Sequence, residues 1–353
     1  MTKPKILLLG HIDHAKEEWA SLADLGELVE AKSTARAGFI QECKDGLLDG
    51  VVAAYRTFNS ISMTGMIDEE LITHLPKSLK FIAHNGWNFS RAAPLVCDDA
   101  DAVSGSGAGY DQIDVHACTA HDIRVANVPI AVDDATADAN MFLILGALRG
   151  FNSSMFAARE GKWRGSPAPP LGHDPQGKVL GILGMGGIGR NLMKKAAAFG
   201  MTTQYYNRTK LSEELSGGAK YVNFDELLAT SDVLSLNLPL NKNTRHIIGP
   251  AEFQKMKRGV VVVNTARGAV IDEAALVEAL ASGQVWSCGL DVFEEEPRIH
   301  PGLLENRSVM LLPHMGTWTV ETQTKMEVWC IENVRMALTQ GRLKSPVVEQ
   351  KDL

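Results

Sequence analysis

Cysteine is scarce in this chain: 353 residues include five, Cys43, Cys97, Cys118, Cys288 and Cys330. Their number is odd and no two form a CxxC pair, which fits reduced thiols better than a disulfide framework or a cysteine zinc site. All five read as structural thiols, and no metal site is expected. A basic surplus is also missing. Lys and Arg total 35 against 42 Asp and Glu, a formal charge of −7, so neither nucleic acid nor a membrane is an expected partner. Long apolar runs are absent too: the stretch after Met1 is too short for a signal peptide, and nothing reaches membrane-spanning length. The default expectation is a soluble cytoplasmic protein that meets any anionic ligand at a local site. Repeats, heptads and low-complexity tracts are lacking as well.

What remains is ordinary globular composition, 45% hydrophobic and 22% charged, on a chain long enough for about two domains. Short apolar runs alternate with helix-like periodicity. KILLL (5–9), VVAA (51–54), LKFIA (79–83) and IRVAN (123–127) are separated by segments such as Asp68–His74 and Asp111–Ala120, a βαβα reading. From Asp134 a helix pattern is apolar almost all round, as in a helix buried between two bodies. A Gly- and Pro-rich loop follows, then a second alternation: KVLGILG, TTQYYN, DVLSLNLP, GVVVVNTA and VWSCGLDVF. These runs are nearly continuous in apolar residues, which suits parallel strands covered on both faces. Thr317 to Gln340 reads as one helix returning to the first domain.

The strand-like Val179–Leu183 runs into Gly184-Met185-Gly186-Gly187-Ile188-Gly189 and then a helical segment. GxGxxG alone is weak, but between a strand and a helix its glycines allow a tight turn and close backbone approach, and the helix N-terminus offers amides to a pyrophosphate. The competing reading is a structural glycine turn. After the next strand comes Asn207-Arg208-Thr209, with no carboxylate to hold a ribose 2′-hydroxyl, which favours NADP over NAD. Alternatively Arg208 stacks on the adenine of NAD.

Arg267, Glu296 and His314 stand at or just beyond strand ends, where ligands of open α/β sheets bind. Singly, each has a plain structural reading: a surface ion pair, a solvated acidic face, a satisfied histidine. Together the blocks LGILGMGGIGR, VVVNTARGAVIDEAAL, GLDVFEEEP and PHMGTWTVET, with GYDQIDVHACTAHDIRVANVP and TADANMFLILGALR, resemble the D-isomer-specific 2-hydroxyacid dehydrogenase family, in the branch of glyoxylate/hydroxypyruvate reductases and D-mandelate dehydrogenases, over nearly the whole chain.

The resemblance implies an α/β protein of two doubly wound lobes: a Rossmann cofactor domain (131–315) inserted in a flavodoxin-like substrate domain (1–130 and 316–353), the active site in the cleft, and a homodimer. It implies NAD(P)H-dependent reduction of a 2-oxo acid to the D-2-hydroxy acid. Arg267 would hold the carboxylate and polarise the carbonyl, His314 would be general acid/base, and Glu296 would pair with it and favour the protonated imidazole. Glu296 is preferred to Glu295 because it directly precedes Pro297. The cofactor would meet Gly184, Gly186, Gly187, Ile188, Gly189, Asn207, Arg208, Thr209, Pro239, Thr244, Thr265, Ala266, Arg267, Asp291, His314 and Gly316, with Asp291 holding the nicotinamide carboxamide. Gly86, Ala108 and Gly109 would offer amides to the substrate carboxylate, and Arg56 would border it. Tyr55, Phe58, Met315 and Trp318 would form an apolar pocket, unless these residues simply pack between lobes. Family relatives also include transcriptional corepressors that bind dinucleotide, and formate dehydrogenase, whose Gln in place of the Glu counts against it here.

One stretch departs from the family pattern. KFIAHNG would run straight into AGYDQID if the 21 residues Trp87–Gly107 were removed. Three readings stand: a lid over the substrate, a tolerated surface bulge, and a retained intron in a gene model. The last is favoured, because an excursion here disturbs the preorganised amides that a carboxylate site needs.

Overall fold

The computed structural model describes residues 3–57, 60–86, 109–165 and 167–353. Phe58, Cys97, Ala108 and the Trp87–Gly107 stretch lie outside these residues. The chain forms two compact units, one from Met1–Val132 with Trp318–Leu353 and the other from Asp133–Thr317.

The first unit holds a five-stranded sheet of β1 (Lys5–Leu9), β2 (Glu27–Glu30), β3 (Val51–Thr57), β4 (Phe81–Asn85) and β5 (Arg124–Ala126). Its order is β2-β1-β3-β4-β5 and every pairing is parallel, the flavodoxin-like arrangement. Period-two alternation divides each central strand between two cores. Leu7 and Leu9 join one apolar cluster, while Ile6 and Leu8 join another on the opposite face. This is why the runs read as continuous rather than alternating.

The helix Val320–Gln340 packs on β3 and β4, and one buried carboxylate fixes it there. Glu327 is fully buried and accepts the backbone N–H of Asp13 at 3.0 Å, His14 at 2.8 Å and Ala15 at 2.7 Å. The turn leaving β1 is thereby stitched to a helix more than 300 positions away in sequence.

The second unit holds β6 (Val179–Leu183), β7 (Thr202–Tyr206), β8 (Lys220–Tyr221), β9 (Val233–Leu236), β10 (Val260–Asn264), β11 (Val285–Leu290) and β12 (Met310–Leu311). All are parallel, in the order β12-β11-β10-β9-β6-β7-β8. The strand order reverses between β6 and β9, a Rossmann switch point at which the carboxyl ends open a crevice. The expected helix from Asp134 is α1 (Asp133–Arg149). Gly150, in a left-handed conformation, ends it before α2 (Phe151–Arg159). α1 lies beside α3 (Gly187–Ala198), and Lys195 joins them through Asp134 at 3.1 Å and Asp138 at 2.8 Å.

Cys43, Cys118, Cys288 and Cys330 are buried free thiols. Burial pushes Cys43 up to about 11 and Cys118 to about 12, well away from reactive thiolate chemistry.

Candidate active site

Because every strand of the seven-stranded sheet is parallel, the loops after β6, β7, β9, β10, β11 and β12 leave from one edge. That edge carries the expected cofactor and catalytic residues of this unit.

The glycine loop follows β6. Gly184 has φ +94°, and a Cβ there would stand 2.7 Å from the Asn237 carbonyl, so the turn requires glycine. The loop is pinned from β7: Asn207 Oδ1 accepts the Met185 N–H at 2.7 Å. Arg208 and Thr209 are exposed. At the start of α3, a Cβ on Gly187 would collide with Asp133 Oδ2 at 1.9 Å. The first residue of α1 therefore lays its carboxylate against the amide end of α3. These features fit a dinucleotide: a tight glycine cradle, a helix N-terminus and no carboxylate beyond β7.

Burial pushes Asp133 up from its ordinary 3.8 to about 6, opposed by Arg190 and reinforced by Asp134. The raised folded-state value means that the native chain holds this proton more tightly than the unfolded one, so stability falls as pH rises from about 4 through about 6. The shift corresponds to at most about 3 kcal/mol, and solvent screening of a part-exposed group reduces it to about 1 kcal/mol. Asp133→Asn is therefore expected to raise the urea midpoint at pH 8, with the gain fading by pH 4; a gain constant across that range would assign it to another cause.

Behind the loops lies a network that the sequence did not reveal. Asn140, fully buried in α1, donates to Ser235 Oγ at 2.9 Å, Asn237 Oδ1 at 3.2 Å and Thr265 Oγ1 at 2.9 Å. One amide ties the ends of β9 and β10 to a helix. The only signal was a lone Asn inside an apolar helix pattern. Thr244 Oγ1 closes the following loop by donating to the Pro239 carbonyl at 2.7 Å.

Arg267 leaves a turn that Asn264 closes twice, donating to the Arg267 carbonyl at 2.8 Å and accepting the Ala266 N–H at 3.0 Å. The next residue, Gly268, approaches the Phe293 backbone so closely that a Cβ would overlap it. This packs the Arg267 turn against the loop carrying the three acids.

Those acids divide. Glu294 pairs with His246, and its Oε2 accepts the Glu273 N–H at 3.2 Å while its own N–H donates to Glu273 Oε1 at 2.8 Å. Glu295 is exposed. Glu296 Oε1 accepts the Phe293 N–H at 2.9 Å, and its Oε2 lies 2.9 Å from His314 Nδ1. Both side chains of this pair are less than one-fifth exposed.

His314 has φ +57°, a left-handed conformation costing a non-glycine residue about 1–3 kcal/mol. Asp291 holds it there. Its carbonyl accepts the His314 N–H at 2.7 Å, and its carboxylate accepts Met315 N–H at 2.5 Å and Gly316 N–H at 2.8 Å. Burial pushes Asp291 up to about 6, against the pull of those amides and of His314.

In the first unit, Tyr55 and Arg56 of β3 are the residues expected to border the substrate. Both are wholly buried inside that unit. Tyr55 meets Trp19 edge-on, centroids 5.6 Å apart, and its hydroxyl accepts from Asn85 Nδ2 at 2.7 Å. Arg56 Nη1 reaches Gln112 Oε1 at 3.1 Å and His84 Nδ1 at 3.2 Å. Burial, with Arg56 adjacent, drives His84 down to about 3, and burial pulls Arg56 down to about 10. A strand paired on both sides and covered on both faces gives its side chains to the interior. Tyr55 and Arg56 therefore brace the end of β4 from which Gly86 emerges. Gly109 opens the next described segment, and Trp318 is exposed.

Residues 141–316 match the family model described as D-isomer specific 2-hydroxyacid dehydrogenase, NAD binding domain. The chain is 53% identical over 350 residues to 4-methyl-2-oxopentanoate reductase A of Aspergillus oryzae, covering 99% of both chains. The chain belongs to the D-isomer-specific 2-hydroxyacid dehydrogenase family. Among solved structures, a glyoxylate reductase from Paecilomyes thermophila matches with TM-score 0.91 and 52% identity over 99% of this chain and 100% of that one. Holo D-mandelate dehydrogenase of Rhodotorula graminis matches at 0.87 and 32%, covering 99% and 98%. The protein is thus an oxidoreductase that reduces 2-oxo acids with NAD(P)H, on two α/β sheets of the family's kind. The corepressor reading draws no support from these relatives.

Proposed function

We propose that this enzyme is an NADPH-preferring, cytoplasmic, homodimeric 2-oxoacid reductase, with Arg267, Glu296 and His314 as its catalytic residues. The observation that carries the catalytic assignment is the Glu296–His314 pair, 2.9 Å apart, on the strand-end edge that also bears the Arg267 turn. A dinucleotide held by the glycine loop would supply hydride from its nicotinamide. Glu296 engages His314 Nδ1 and fixes the ring's orientation, leaving Nε2 to deliver a proton to the carbonyl oxygen. Arg267, planar and permanently charged, grips the carboxylate and polarises the carbonyl. Asp291 keeps a second lone pair on each oxygen for the carboxamide while bracing the His314 turn. In this reading residues 131–315 are the cofactor domain, and 1–130 with 316–353 the substrate domain.

NADP is favoured because Arg208 and Thr209 are exposed beyond β7 and no acid stands beside them. Reduction of 4-methyl-2-oxopentanoate, glyoxylate and phenylglyoxylate with NADPH and NADH tests the reading. The expected kcat/KM is at least tenfold higher with NADPH, and Arg208→Glu reverses that order; an unaltered NADH preference assigns Arg208 to adenine stacking.

A homodimer is supported by exposed apolar side chains of α1, α2 and the loop that follows: Phe142, Phe151, Met155, Phe156, Trp163 and Leu171. Met155→Glu with Phe156→Glu is expected to yield monomers in sedimentation velocity, and a dimer that survives both would place the contact elsewhere. The four buried, unbridged cysteines agree with a reducing compartment; fractionation of cells carrying the tagged enzyme checks it.

A further inference from the structure

The cations of the first unit are unevenly placed. Lys80, Arg124, Arg342, Lys344 and Lys351 line one cavity of about 640 Å³. Asp122 lines it too, and Phe81, Leu343 and Pro346 supply apolar surface. In a chain of net charge −7, five cations around one hollow repel one another, whereas ordinary surfaces intersperse the two signs.

Two of the five are engaged. Lys80 Nζ lies 2.7 Å from Asp122 Oδ2, and Lys344 pairs with Glu332 while standing 3.8 Å from the Trp329 ring centroid. Arg124, Arg342 and Lys351 make no ion pair among the described residues.

The frame around them is fixed by the backbone. Arg124 N–H donates to the Lys80 carbonyl at 2.7 Å. Gln350 Oε1 accepts the Val125 N–H at 2.7 Å, and its Nε2 donates to the Ile123 carbonyl at 2.9 Å. On the other wall, Asn333 Oδ1 accepts the N–H groups of Lys344 at 2.9 Å and Ser345 at 3.0 Å. The charges therefore project from held chain, not from free loops. The hollow opens at the amino ends of β4 and β5, roughly 17 Å of strand from the carboxyl end of β4 that leads to Gly86.

We propose that this hollow binds a small organic polyanion: two or more carboxylate or phosphate groups on a carbon frame. The guanidinium groups of Arg124 and Arg342 match such groups with forked hydrogen bonds. Lys351 adds a point charge, and the carbon frame covers Phe81 and Pro346. The volume is that of a metabolite site. This site is separate from the reductase chemistry and does not depend on it.

Citrate is the probe, titrated calorimetrically into the full-length enzyme at ionic strength fixed with sodium chloride. Arg267→Gln removes carboxylate binding at the catalytic edge, and Arg124→Gln/Arg342→Gln removes the hollow's fork donors. Expected is one citrate per chain, unaltered by Arg267→Gln and at least tenfold weaker in the double variant, whose 2-oxo acid turnover stays normal as proof of folding. Sulfate, which lacks a carbon frame, should bind at least tenfold more weakly than citrate. Citrate heat that disappears in Arg267→Gln but persists in the double variant overturns the proposal, as does heat no larger than that of chloride. Equal binding of sulfate overturns the requirement for an organic frame.

Discussion

Replacing His314 by alanine should lower kcat for 2-oxo acid reduction by about 10²–10⁴, the usual worth of a positioned general acid. NADPH affinity, read from quenching or transfer of protein fluorescence, should change little. The side chain meets Glu296, so its loss would remove the proposed proton donor and leave the residues of the glycine loop in place. The backbone complicates alanine, because His314 stands at φ +57°. Asn tolerates that conformation better than Ala does, so His314→Asn separates loss of the acid from loss of the turn. Both variants should be equally slow. Near-normal turnover in either folded variant would remove His314 from proton transfer; activity in His314→Asn alone would assign the residue to holding the Met315 and Gly316 amides.

The largest expected effect on stability belongs to Glu327. Glu327→Ala leaves the buried N–H of Ala15 and the part-buried N–H groups of Asp13 and His14 without their acceptor. A stranded buried donor costs about 1–3 kcal/mol, and water can meet the part-buried pair only in part, so a loss of about 2–4 kcal/mol is expected. Glu327→Gln keeps one acceptor oxygen and should recover part of it. Urea unfolding followed by tryptophan fluorescence measures both. A loss below about 1 kcal/mol in Glu327→Ala would mean that the amides find other partners.

The parallel sheets were readable from sequence because strands covered on both faces must be apolar at every position, as in VVVVN (260–264). The glycine loop was readable because Gly184 needs a positive φ that other residues resist. Three strands gave no such sign. Glu27–Glu30 is an edge strand with acids at both ends, and Lys220–Tyr221 and Met310–Leu311 span two residues each. The interior position of Arg56 was hidden for another reason: its partners His84 and Gln112 lie 28 and 56 positions away, so no local pattern announces that the charge is met. The same holds for Asn140, whose acceptors lie on β9 and just beyond the ends of β9 and β10. The EEE run looks uniform in one dimension, and only the pairings with His246, Glu273 and His314 give its members different work.

The discontinuous first unit also dictates an order of events during synthesis. Residues 1–132 leave the ribosome with the turn at 13–15 incomplete, since Glu327 is made only after the whole of the second unit. That second unit is contiguous and can close while translation continues. The first sheet must wait for Val320–Gln340 to cover β3 and β4. A nascent chain halted before that helix will therefore be protease-sensitive at its beginning and resistant in its middle, the reverse of simple N-to-C maturation.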